Sequence, residues 1–118
     1  MNNRLLLFLI PLTILSFSFK TLENEVSYFI QFKIETISSN DQAILIDQKM
    51  RQKSGISISR TDYQSGTYFC ILKPEIQYTQ EDFVKWFNKL GYHITCFNTG
   101  IQGKDQAISP FILKNCKI

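Results

Sequence analysis

From Ile30 the chain alternates, with Ile30, Phe32 and Ile34 on one side and Gln31, Lys33 and Glu35 on the other. A period of two is that of a half-buried strand, and Tyr28 to Glu35 is rich in β-formers. The period then changes. Through Ile37 to Gly55, the stretch around which the rest is organised, Ala43, Ile46 and Met50 recur at helical spacing. Ser38 to Asp41 offers N-cap side chains and Gly55 a natural stop. The spacing predicts a helix over 40–53, with Asp47, Gln48, Lys49, Arg51 and Gln52 on a solvated outer face. Alternation returns in Ile56 to Tyr63 and is followed by the β-rich run Thr67 to Leu72. The turn Gln64-Ser65-Gly66 between them makes a hairpin. Thr79 to Asp82 has the form of a capping box with Asp in the place of the usual Glu. Phe83, Phe87 and Leu90 then stripe a second helix over 80–90, which Gly91 ends. Tyr92 to Phe97 reads as a last strand, Asn98 to Gly103 as a loop, and the rest as a tail containing Phe111-Ile112-Leu113.

Strand, helix, strand, strand, helix, strand has one simple compact solution, a pair of split β-α-β units. The expected fold is α+β, a ferredoxin-like βαββαβ sandwich. Its antiparallel sheet has strand order 4-1-3-2 and both helices on one face. Phe32, Ile34, Ile46, Met50, Leu72, Phe83, Phe87 and Leu90 make its core. The opposite face receives Gln31 and Lys33 from the first strand, Phe69 and Ile71 from the third, and Thr95 and Phe97 from the fourth. Two outcomes stay open for it. An exposed apolar cluster there would be a partner site, or the tail folds back and covers it with Phe111, Ile112 or Leu113.

Composition narrows the class. The chain has 118 residues, of which 44% are hydrophobic and 19% charged, the balance of one globular domain. The formal charge of +3 is not gathered into any basic run, and aromatic and basic residues do not interleave along a strand, so nucleic-acid binding is not expected. Arg4 precedes an apolar run from Leu5 to Leu15 broken by Pro11, and Ser16 and Ser18 offer small residues for cleavage after Ser18. The run is shorter than the ~20 residues a spanning helix needs. The expectation is a signal peptide over 1–18, a domain over 26–98 and a tail over 99–118, with no stable membrane anchor after cleavage and a periplasmic or secreted product. Export permits disulfides. With three cysteines, one bridge at most forms within a monomer. Cys70, in phase with Tyr68 and Leu72, is expected to be a buried free thiol. Cys96, in phase with Ile94, is expected to face inward as well. If any pair forms, it is Cys96 with Cys116 on the returning tail.

Ile46-Asp47, Gly55-Ile56, Pro74 at the hairpin exit and Leu90-Gly91-Tyr92 together resemble the heavy-metal-associated domain of copper chaperones and metal-pump N-termini. The resemblance covers about Tyr28 to Phe97. It implies a metal loop between the first strand and the first helix, of pattern M-x-C-x-x-C. At those positions this chain has Ile37, Ser39 and Gln42. Paired thiolates are what bind soft cations such as Cu(I) at that loop. A hydroxyl and an amide are neutral, hard and weak ligands for them. The resemblance thus implies the fold while the loop residues argue against the family's metal function.

Elsewhere the chemistry is sparse. His93 is the one histidine, and His93 and Cys96, three apart on a strand, point to opposite faces. Asp41, Asp47, Glu75, Glu81 and Asp82 are explained by caps and helix surfaces. No nucleophile motif or glycine-rich phosphate loop is present, so no catalytic residue, enzyme activity or cofactor is expected. The leading expectation is a small exported binding or interaction module with an unidentified protein partner. The alternative is a periplasmic Cu or Zn protein using Cys96, Cys116 and His93.

Overall fold

A computed structural model describes residues 25–117; the signal peptide expected over 1–18 lies outside them. Strands β1 (Tyr28–Ile34), β2 (Ile56–Asp62), β3 (Thr67–Leu72) and β4 (Ile94–Ile101) form one sheet in the order β2-β3-β1-β4, with all neighbours antiparallel. Helices α1 (Asn40–Arg51) and α2 (Gln80–Lys89) cover one face, and a third short helix, α3 (Pro110–Lys114), lies on the other. The fold is the α+β ferredoxin-like sandwich, with the expected strand order.

Local chemistry sets the element ends. The Ser39 side chain accepts from the Gln42 backbone N–H and starts α1. Thr79 and Asp82 close a reciprocal capping box on α2. Ile30, Phe32 and Ile34 of β1 meet Ile46, Met50, Phe83 and Phe87 from the helices and Tyr68, Cys70 and Leu72 from β3. Phe32 is the centre of an aromatic cluster: its ring stacks on Tyr68 at 5.0 Å and meets Phe87 edge-on at 4.9 Å. Leu90 lies at the rim of this core, half-buried.

Three expectations need correction. First, Asp47 is not a bland outer-face residue. Its carboxylate accepts from Ser59 Oγ, Thr61 Oγ1 and Thr61 N, tying α1 to the edge strand β2. Second, Asn98 to Gly103 is not all loop, because β4 runs on to Ile101, opposite Tyr28. Residues 99–101 therefore belong to the sheet and not to the tail. Third, Phe97 is not on the open face. Two β4 residues, Cys96 and Phe97, lie opposite the single β1 residue Phe32, and Cys96 takes φ +57°. Such a bulge resets the alternation. Phe97 turns to the helices, 6.2 Å from the rings of both Phe32 and Phe83, and Cys96 does not face the core.

Candidate functional site

The face away from α1 and α2 is where the chain spends its remaining residues. After β4 the segment 102–117 crosses this face as a strap. Gln31 anchors it: its amide NH₂ donates to the Ile108 carbonyl and its carbonyl accepts from the Ile108 N–H, both at 2.8 Å. Asn98 Nδ2 donates to the same Gln31 oxygen at 2.7 Å. One side chain thus gives a strand-like pair of bonds to a segment that is not a strand. With these partners Gln31 can be 3% exposed without leaving a polar atom unsatisfied. Phe29 lies on the same face, stacked on Phe69 and 1% exposed. A Cβ at Gly100 would overlap the Phe29 ring, so that glycine is required for β4 to pass.

Beyond Ile108, Ser109 caps α3 and Pro110 takes its first turn. Leu113 is the residue of α3 that packs inward, at 3% exposure. Phe111 and Ile112 point outward at 76% and 65%. Cys116 is joined to Cys96 by a disulfide, with Cα atoms 6.5 Å apart, and Lys33 Nζ donates to the Cys116 carbonyl at 3.4 Å. Both cysteines are half-buried. They line a groove of about 630 Å³ with Phe97, Ile108, Phe111, Ile112 and Leu113.

Of the residues expected on this face, Gln31, Lys33, Phe69, Ile71 and Thr95 are there. Gln31 lies under the strap, and Thr95 donates to Glu35. Phe69 and Ile71 are half-buried on the β2 side, beside Ile58. Two further features belong to this face. Phe29 alternates in phase with Gln31 and Lys33, and that parity marks its place. Ser109-Pro110 is a helix-start signature that marks α3.

At the loop positions singled out by resemblance, Ser39 Oγ takes the Gln42 N–H at 3.2 Å. Gln42 Oε1 takes the Ser38 N–H at 2.8 Å. The two side chains close a reciprocal cap on the first turn of α1, and each is committed to a backbone donor. Ile37 packs against the core cluster. Neutral oxygens already engaged with N–H groups do not fit a soft monovalent cation.

The other reactive groups are not gathered. His93 is exposed, and its carbonyl accepts from Glu35 N. Cys96 and Cys116 are each other's partner. Among the described residues no three His, Cys, Asp or Glu side chains are placed to share a metal ion. Cys70 is a buried free cysteine whose thiol is pushed up to about 12 by burial, so it stays protonated. No helix among the described residues is long and apolar enough to cross a membrane.

No family model matches the chain, and no curated protein matches it. One solved structure that resembles it is the N-terminal domain of a potential copper-translocating P-type ATPase from Bacillus subtilis, in its Cu(I)-loaded state. The TM-score is 0.53 at 18% identity, over 70% of this chain and 96% of that one. The likeness is one of fold, the four-stranded antiparallel sheet with two helices on one face.

Proposed function

We propose that this is a small exported interaction module, built on the fold of a metal-binding domain, that has lost the metal loop and binds a protein partner through its strapped side. The observation that carries the reading is the pair Phe111 and Ile112. They are two large apolar side chains held in water on a helix whose base is tied by the Cys96–Cys116 bond and by Gln31. A helix of five residues has no stability of its own. Here the anchors keep it formed, so the pair is displayed in one geometry and little conformational entropy remains to be lost on binding. The similar ATPase domain is described in a Cu(I)-loaded state; the capped Ser39 and Gln42 are what separate this chain from that use.

A photo-crosslinking residue in place of Ile112, in the exported protein, should give one defined adduct that Phe111→Asp abolishes. Adducts unchanged by Phe111→Asp would sink the partner surface. In parallel, the reduced protein titrated with Cu(I) and Zn(II) should show no stoichiometric tight binding. Tight binding lost on Cys96→Ser would instead favour a metal protein with Cys and His ligands.

A further inference from the structure

We propose that the Cys96–Cys116 bond is a redox latch. Oxidised, it holds the 106–117 part of the strap over the sheet; reduced, it lets that part leave and opens the face of Gln31 and Phe69. The latch stands on the geometry of the strap and not on the partner surface proposed above.

The strap is slenderly held apart from the bond. Phe111 and Ile112 of α3 are mostly exposed and contribute little packing to the sheet, and Leu113 alone of the three is buried. The strap's first residues are tied to the sheet independently, by Gln102 N–H donating to the Ser27 carbonyl and Ile101 N–H donating to the Asp105 carboxylate. Beyond residue 105 the polar anchors are the two Gln31–Ile108 hydrogen bonds and the long Lys33 contact to the Cys116 carbonyl. By contrast, β1, β3 and the helices share the continuous core around Phe32. The bridge spans 20 positions of sequence, so cutting it returns a long segment to freedom. Its release removes the cover from Phe69 and leaves Gln31 to water, without touching the helix side.

The bond is also reachable. Both half-buried cysteines open on the groove beside Phe97 and Phe111. A dithiol is the reductant the latch requires. One of its thiolates attacks a sulfur of the bridge, forming a mixed disulfide and freeing the other cysteine as a thiolate that takes up a proton. The second thiol of the reductant then displaces the remaining cysteine. The reductant leaves as an intramolecular disulfide, oxidised by two electrons, and Cys96 and Cys116 become thiols. Cys70, buried in the core with its thiol protonated, takes no part.

Amide hydrogen exchange, read by mass spectrometry on the protein with and without dithiothreitol, tests this. Reduction should speed exchange at least about tenfold across 106–117, while α1, α2 and the β2–β3–β1 ladder keep their protection. The Cys96→Ser/Cys116→Ser variant should match the reduced protein with no reductant present. Strap protection unchanged by reduction would overturn the latch. So would loss of protection across both helices, which would make the bond a staple of the whole fold. A double variant as protected as the oxidised protein would overturn it too.

Discussion

Gly55 shows how one residue sets a junction. It takes φ +88° between α1 and β2, and a Cβ there would overlap the Ile76 side chain. Its carbonyl also accepts from Lys73 N, closing the end of the hairpin against the helix stop. Gly55→Ala therefore meets both a disfavoured backbone region and an occupied space. It should lower stability by about 1–3 kcal/mol in urea unfolding. Cys70 makes a second prediction at this scale. Unfolded, its thiol ionises above its ordinary value near 9; folded, burial holds the proton up to about 12. Between those values the folded state binds more protons, so stability is full below the lower one and falls as pH rises through the window. Burial shifts Tyr68 upward too, with the same sign. The urea midpoint should drop from about pH 8 to about pH 10.5, and less so in Cys70→Ala. A midpoint flat across that range would contradict a buried, protonated thiol.

At the scale of elements, the loop before α1 carries a sharp test. Ser39 and Gln42 meet across the first turn, three residues apart on a helix start. Ser39→Cys/Gln42→Cys should gain Cu(I) affinity, because two thiolates would then share a preformed turn and the positive end of the helix. Competition against a colorimetric Cu(I) chelator measures it, and no gain would mean the loop is placed wrongly against the metal-binding fold. The strap carries another. Gln31→Leu leaves the Ile108 N–H and carbonyl and the Asn98 amide without their partner. It should cost about 1–3 kcal/mol and speed proteolysis within the strap. These elements differ in how far the sequence displayed them. The alternation of Ile30, Phe32 and Ile34 and the Phe83–Phe87 stripe are periodic, so β1 and α2 were legible, and with them the order of the sheet. The second half of β4 was not. Its alternation is reset by one residue, Cys96, in a left-handed conformation that no propensity marks, and Asn98-Thr99-Gly100 has the composition of a turn. Simple alternation puts Phe97 on the open face for that reason alone.

For the molecule as a whole, the core around Phe32 holds the sandwich and the strap closes its other face. Phe87 touches both Phe32 and Tyr68. Phe87→Ala should cost ~3–5 kcal/mol, a large part of the ~5–15 kcal/mol that keeps a domain folded. A two-state melt should show it as an early transition. The role of Gln31 as an anchor was not legible, because its partner Ile108 lies 77 positions away and offers only backbone. The bulge in β4 has a counterpart. The register of β2 against β3 also shifts, between Ile56 and Ile58, so both outer strands of the sheet are irregular. A straight outer strand is a template on which another chain can add its own strand, and repeated addition builds fibrils. A kink in each border makes that template less regular. The kink that turns Phe97 to the helices therefore also leaves the β4 border a poorer template for added strands.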